Sequence, residues 1–447
     1  MALSGLEIYK HLPKSNCKEC GVATCLAFAM KVASGQASLE GCPRLDEKGK
    51  TALGEAGAPP QSLISFGANG YGFEIGQETV LYRHEDKFYH PTAISVCIND
   101  SLDNAILEQR CKELSAIAFD RMGKTSVVDM LALVNASKDT ARFAEAARLA
   151  AASFPRSLAL LSPDPTALRA AGEAVAARRP LLWALCTGSN PEAFFKVAED
   201  LRLPLCIEAP GFEALAGLAD QARVSGLKDL VLSPGPVSSQ EGCAFLTQSR
   251  RAAITKKFRS LGYPVAMMAM DEDPLRATVD ACWYILKYAG IVVANLTRPE
   301  HILALAATRQ DIYTNPQIPV QVPAGLHEVG DPGPDAPVLV TTNFALSYYS
   351  VESEISSARI PAYILAVDTE GTSVLTAWAA EKLTGATTAE ALAKARAAEK
   401  AGHKKVIIPG LVSVLSGSIK EESGWDVIVG PREASGLVSF LKANWRS

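Results

Sequence analysis

Cys17, Cys20, Cys25 and Cys42 are the residues best equipped for chemistry, standing in NCKECGVATC and EGCP with a C-x2-C-x4-C-x16-C spacing. Thiolates are soft donors, and four of them within so short a stretch suit a soft metal centre. Gly21, directly after Cys20, lets the backbone turn tightly and approach a sulfur with no β-carbon in the way. Pro43 lacks an N–H and keeps the chain extended after the last thiol, as at the end of iron–sulfur motifs. Zinc prefers short C-x2-C knuckles in pairs, so this layout favours a cluster of the 4Fe–4S type, with zinc the competing occupant.

These thiols need a frame. Val22–Ser34 predicts a helix with a nearly continuous apolar surface, ended by Gly35 and too short to stand without packing partners. Residues 1–60 therefore form a cluster module followed by a Gly-, Ala- and Pro-rich tether from Asp46 to Ser62. From about residue 63, short apolar runs alternate with amphipathic helical stretches. The runs are 94–98, 116–120, 130–135, 158–162, 181–186, 204–209, 230–234, 265–269 and 291–296. Repeated βα units over residues 61–325 predict an α/β fold of (β/α)8, or TIM, barrel type. Nine runs compete for eight places, so 94–98 or 116–120 must lie outside the ring. Apolar alternation between Ser65 and Tyr82 predicts a hairpin at the barrel's end.

The Gly/Pro-dense run LHEVGDPGPDAP, Leu326 to Pro337, reads as a loop and boundary. Beyond it, residues 326–447 carry four further strands, 337–342, 362–367, 404–409 and 426–430, interleaved with helices. That pattern predicts a small open Rossmann-like α/β sheet whose ligand site lies at the strands' carboxyl ends.

Length and composition set limits. A chain of 447 residues exceeds one ordinary core. A net charge of −4 argues against a nucleic-acid partner, which needs a concentrated basic surface. The opening MALSGLEIYKHLPKSN has no secretory apolar run, and no stretch reaches membrane-spanning length, so a cytoplasmic chain with reduced thiols is expected. The six other cysteines are scattered and read as small buried hydrophobes.

The barrel shows no HExxH, no GxSxG and no spaced acid–base cluster. Asn135, Glu208 and Asn295 stand at carboxyl ends of strands, where they would line its mouth or satisfy its loops. The last domain is more informative. Its strand ends carry Thr341, Thr342 and Asn343, then Asp368–Ser373, then Pro409 and Gly410, then Gly430–Ser435. Small and hydroxyl-bearing loops opening onto helix N-termini offer free N–H groups to a large flat ligand. Each alone would be an N-cap; four on one sheet edge point to a site.

Taken together, NCKECGVATC…EGCP, a central barrel and a last domain with TTNFALSYYS and DTEGTSVLTAW resemble the large (gamma) subunits of corrinoid iron–sulfur proteins of the acetyl-CoA pathway. The resemblance covers essentially the whole chain. It implies a 4Fe–4S cluster on Cys17, Cys20, Cys25 and Cys42 as metal ligands and a corrinoid (cobalamin-type cofactor) in the last domain. The implied corrinoid-binding residues are Thr341, Thr342, Asn343, Tyr348, Glu370, Gly371, Thr372, Ser373, Val374, Leu375, Gly410, Gly430, Pro431, Arg432, Glu433 and Ala434, with no catalytic acid or base. It also implies a heterodimer with a separate small barrel subunit. Cobalt would take a methyl group from methyltetrahydrofolate through a dedicated methyltransferase and give it to acetyl-CoA synthase. The cluster, fed by a low-potential donor, would return Co(II) to Co(I).

Many cobalamin domains carry D-x-H-x-x-G, whose histidine ligates cobalt. Here the one H-x-x-G, His327 to Gly330, has Gly325 where the aspartate should stand, so a base-off corrinoid is expected. Losing an axial donor eases reduction of the metal. Thr372, Ser373 and Val374 are expected beneath the ring, and the loop from Gly330 to Pro337 is expected to let the last domain move. Two rivals remain: a methyltransferase acting on methyl-pterin through its own barrel, and a plain iron–sulfur electron carrier.

Overall fold

The computed structural model describes residues 5–34, 36–38, 41–46, 49, 59–68, 70 and 72–445. Most of the expected tether over 46–62, and Gly35 as a helix terminator, lie outside the described residues. The chain divides into two compact units. One takes Val127–Tyr313 and everything before Phe119; the other takes Phe119–Ser126 and the chain from Thr314 on.

In the first unit, α1 (Gly5–His11) and α2 (Cys25–Ala33) share a small core of Ile8, Leu12, Phe28, Ala29 and Leu45 with Cys25 and Cys42. Helix α2 begins three residues later than its apolar pattern, because Thr24 caps it: its Oγ1 accepts from Ala27 N at 3.1 Å.

The barrel strands are β3 (Ala93–Asn99), β6 (Met130–Val134), β7 (Ser157–Ser162), β8 (Leu181–Ala184), β9 (Leu205–Glu208), β10 (Leu230–Ser233), β11 (Ala266–Ala269) and β12 (Ile291–Ala294). All pair in parallel in chain order, and β12 returns to β3. A parallel bridge between Leu232 and Val265 closes the ring. Being covered on both faces, these strands are continuous apolar runs. Eight helices follow them: α3 (Asn104–Ala116), α4 (Thr140–Ser153), α5 (Pro165–Ala174), α6 (Pro191–Leu201), α7 (Phe212–Val224), α8 (Ser239–Ile254), α9 (Pro274–Leu286) and α10 (Pro299–Tyr313). The expected hairpin is β1 (Leu63–Phe66) with β2 (Phe73–Gly76), paired antiparallel. Its Ile64, Phe66 and Ile75 join Ala93, Met130, Leu181 and Ile291, the opening residues of barrel strands, in one core, so it plugs the amino-terminal end.

The surplus ninth run is 116–120. It leaves the ring as β4 (Ala118–Arg121) and turns back as β5 (Lys124–Val127) through Met122 and Gly123, at φ 52° and 72°. Two positive φ values in a two-residue loop match the right-handed twist of a hairpin. Residues Phe119–Ser126 of this hairpin belong to the second unit.

That unit is a five-stranded sheet in the order β13-β15-β14-β16-β17. Its strands are β13 (Gly325–Val329), β14 (Val338–Thr342), β15 (Ala362–Val367), β16 (Lys405–Ile408) and β17 (Asp426–Val429). Four are parallel; β13 runs antiparallel to β15 at the edge. Helices α11 (Ala345–Ser357), α12 (Val374–Ala379), α13 (Gly385–Lys394), α14 (Ala397–Ala401), α15 (Ser416–Ser423) and α16 (Leu437–Asn444) cover two separate cores, one on each face.

Two expectations are corrected. Residues 325–329 form a strand rather than a boundary loop, and the division falls at Tyr313/Thr314 instead of 325/326. The loop Gly330–Pro337 therefore lies inside the second unit, where Pro332 O accepts from Tyr363 Oη at 3.0 Å, and is no inter-unit hinge. Among the described residues no helix is long and apolar enough to cross a membrane.

Candidate ligand cavity and thiolate module

In the second unit the chain goes from β14 to β15 on one side, then crosses back to β16 on the other. The carboxyl ends of β14 and β16 therefore diverge, the place where open α/β sheets take ligands. A cavity of about 650 Å³ lies there, bounded by Thr341 on β14, Ile408 and Pro409 after β16, and Gly430–Ser435 after β17. Helix α11 contributes Leu346, Ser347, Ser350, Val351, Ser353 and Glu354, and the opening of α12 contributes Ser373, Val374 and Leu375. The rim is apolar yet wet: Leu346 is 56%, Leu375 46% and Leu411 38% exposed. Large apolar side chains gathered around a hollow are uncommon on a monomer's surface.

Of the residues expected to hold a corrinoid, Thr341, Ser373, Val374, Leu375, Gly430, Pro431, Arg432, Glu433 and Ala434 line this cavity. Thr342, Asn343, Glu370, Gly371, Thr372 and Gly410 do not. Gly410 stitches two loops together: its N–H donates to Pro431 O at 2.9 Å, and a β-carbon there would meet Gly430 O at 2.6 Å. Thr342 is buried with its hydroxyl unpartnered. Tyr348 turns to the opposite flank of α11, into another cavity of about 720 Å³ with His327 and Tyr349. Its ring lies 4.8 Å from that of His327, and burial pushes its hydroxyl up to about 12. Helical spacing explains the split, since 346, 347, 350, 351 and 354 share one face and 348, 349 and 352 another. The wall of α11 was absent from the expected residues; its sequence signal was an apolar–serine face, Leu346-Ser347-Ser350-Val351.

None of the six histidines lines the cavity. His327 Nε2 bonds Pro323 O at 2.7 Å, and His403 Nε2 bonds Ala336 O at 2.9 Å.

In the amino-terminal module Cys25 and Cys42 are buried and Cys17 and Cys20 half-buried. Cys20 packs on the same small core as the buried pair. Arg44, beside Cys42 in sequence, pairs with Glu19; that hydrogen bond and charge, with the nearby Cys17, raise its pKa. Among the described residues no three His, Cys, Asp or Glu side chains converge closely enough to hold a metal ion. The backbone nevertheless suits thiolates. Asn16, Lys18 and Gly21 have φ of 46°, 64° and 76°, and Gly21 N donates to Lys18 O at 2.9 Å, so the segment carrying Cys17 and Cys20 turns tightly. Asn16 Oδ1 accepts from Cys25 N at 2.8 Å, which holds the loop to the start of α2.

At the barrel mouth the polar groups bond mainly to one another. Glu208 accepts from Cys186 N at 3.2 Å, Trp183 Nε1 at 3.4 Å and Ser233 Oγ at 3.5 Å. Burial raises its pKa, against the pull of those bonds. Asn135 Nδ2 donates to Ser162 Oγ at 2.9 Å, leaving its Oδ1 unpartnered, and Asn295 is exposed.

The described residues thus form a cysteine module, a closed parallel barrel and an open α/β sheet with a cavity at its switch point, a multidomain α/β architecture. Residues 63–441 match the family model described as "CO dehydrogenase/acetyl-CoA synthase delta subunit", and residues 12–44 the one described as "Putative Fe-S cluster". The chain is 44% identical to the corrinoid/iron-sulfur protein large subunit of Moorella thermoacetica, over 100% of both chains. The acetyl-CoA decarbonylase/synthase complex subunit gamma is 33% identical in Archaeoglobus fulgidus and 34% in Methanosarcina acetivorans, each over 99% of this chain and 98% of the relative. A Xanthomonas albilineans dihydropteroate synthase structure aligns over 55% of this chain and 97% of its own, at 14% identity and a TM-score of 0.40, and nothing rests on that likeness. The chain belongs to the family of corrinoid/iron–sulfur protein large subunits and acetyl-CoA decarbonylase/synthase gamma subunits.

Proposed function

We propose that this chain is the large subunit of a methyl carrier in the acetyl-CoA pathway, with a base-off corrinoid in the 650 Å³ cavity and a 4Fe–4S cluster on Cys17, Cys20, Cys25 and Cys42. The carrying observation is that cavity: a switch-point hollow walled by leucines, serines and glycine-bearing loops, with no histidine among its lining residues. The corrinoid, when bound, supplies a cobalt that accepts a methyl group from methyltetrahydrofolate, with a methyltransferase, and releases it to acetyl-CoA synthase.

The chain's own residues bind, orient and exclude. Leu346, Leu375 and Leu411 offer apolar contact to a flat ring. Ser347, Ser350 and Ser373 offer hydroxyls to its amide periphery. Ser373 and Val374 carry no imidazole and no histidine lines the cavity, so this chain would offer a bound cobalt no nitrogen ligand there, which would ease its reduction. The thiolate module holds the reductive centre, which a low-potential donor would charge. The exposed leucines of the rim are the surface a small subunit would cover.

The test is metal analysis after anaerobic co-expression with a candidate small subunit. About four irons and one cobalt per chain are expected, with an EPR spectrum of Co(II) free of nitrogen splitting. Zinc in place of iron, or a nitrogen-ligated cobalt, would falsify the assignment.

A further inference from the structure

Asn343 does not line the cavity, yet it holds the loop that does. It follows β14 and is only 2% exposed. Its Oδ1 accepts from Thr369 N and Gly371 N, each at 3.0 Å, and from Thr369 Oγ1 at 3.2 Å. Its Nδ2 donates to Asp368 Oδ1 and Gln321 Oε1, each at 3.2 Å. Backbone N–H groups can only donate, so the oxygen must face the loop and the amide orientation is fixed by chemistry. Glu370 and Gly371 are consecutively left-handed, at φ 55° and 71°, and for the glutamate that backbone is sparsely populated. The back of the loop is closed as well: a β-carbon on Gly371 would meet Gln321 Cγ at 2.5 Å and Pro319 Cβ at 3.0 Å. Two residues further on, Ser373, Val374 and Leu375 form part of the cavity wall.

We propose that Asn343 is a positioning residue that sets the height of the Ser373–Leu375 wall, and that Gln321 ties the same node to the segment entering this unit. The second part rests on Val322 N donating to Asn343 O, and Ala345 N to Val320 O, each at 2.9 Å. The chain enters the unit at Thr314, so residues 320–322 and the ligand loop share one hydrogen-bonded hub. This role rests on the corrinoid reading of the cavity.

The experiment uses the full-length chain in three forms: wild type, Asn343→Ala, and the exchange pair Asn343→Asp with Asp368→Asn, which keeps an oxygen acceptor for Thr369 N and Gly371 N, keeps one for Glu370 N, and avoids two facing carboxylates. Amide exchange is followed without corrinoid, and uptake of base-free cobinamide is titrated separately. In Asn343→Ala, exchange over 369–373 should rise about tenfold or more with β14 and β16 unchanged, and cobinamide binding should weaken about tenfold. The exchange pair should recover both within about threefold. Wild-type exchange in Asn343→Ala overturns the proposal, as does faster exchange with undiminished cobinamide binding. A wild-type chain that takes up no cobinamide overturns the corrinoid reading and this role with it, and wild-type uptake tells the two failures apart. Should Asn343→Ala not fold, the exchange pair decides: a folded pair that fails to protect 369–373 overturns the proposal.

Discussion

The barrel mouth and the carboxyl edge of the second sheet are both strand ends of parallel α/β architecture, and they use their polar and apolar side chains differently. At the mouth, Glu208 collects three donors from within the barrel and Asn135 bonds Ser162. At the sheet edge the strand order reverses, a hollow of about 650 Å³ opens, and Leu346, Leu375 and Leu411 stand in water around it. A closed ring brings its loops round to face one another, so their polar groups can pair; an open sheet parts them at the switch point. The location rule is the same for both; here the mouth's Glu208 and Asn135 bond their neighbours, and the hollow opens at the sheet's switch point.

Four changes would break or sharpen that contrast. Cys25→Ser should empty the thiolate module, taking iron from about four per chain to near none, while cobalt uptake at the sheet edge persists. Loss of both metals together would mean that the sheet edge cannot act without the module. Leu375→Asp puts a charge on the apolar rim at a half-exposed position, so corrinoid affinity should fall about a hundredfold with the fold intact. Equal uptake by titration would show that the ring lies elsewhere.

Gly123→Ala probes the hairpin that joins the second unit: φ is +72° and a β-carbon would meet Tyr349 Oη at 2.1 Å. A cost of about 1–2 kcal/mol is expected, seen as a lower midpoint for that unit's unfolding. An unchanged midpoint would mean the hairpin contributes little to the unit.

Glu208→Gln should have the smallest effect. Corrinoid and iron content should not change, but the pH dependence of barrel stability should. Burial raises the folded pKa of Glu208 above its ordinary 4.5, so the folded chain keeps a proton that the unfolded chain has released. Stability contributed by that proton is full at low pH and falls as pH climbs from the unfolded value through the raised one. Thermal unfolding between pH 4 and pH 8 (about the range where carboxylates titrate) should show a flatter decline in the glutamine variant. If the variant instead lost corrinoid, the mouth would have to be counted as part of the site.

Much of this was legible beforehand. The barrel strands were visible as short apolar runs, because strands buried on both faces hold few polar residues, here Ser95, Ser157, Ser162, Glu208 and Ser233. The surplus run at 116–120 could not be placed by pattern, since AIAFD is as apolar as a ring strand; the Met122–Gly123 turn sent it back on itself. Strand β13 was mistaken for loop because it is only five residues long and runs straight into the Gly/Pro run at Gly330, and its pairing partner β15 lies over thirty residues away. The loops at the strand ends were legible by residue type, whereas the faces of α11 were not: Leu346 and Ser350 line the cavity with those loops, and Tyr348 lines the one with His327 and Tyr349. Which face of a helix meets a cavity depends on how the helix sits on its sheet.

What the amino-acid sequence determined by itself was local: the spacing of four soft donors, the βα rhythm, and the small residues at strand ends. Those depend on side-chain type and short-range backbone preference. Tertiary structure decided ring closure, the transfer of a hairpin to the second unit, the switch point and the hydrogen bonds from Asn343 to the loop after β15. Each requires groups far apart in the chain to meet, and no residue's own chemistry specifies which distant partner it will find.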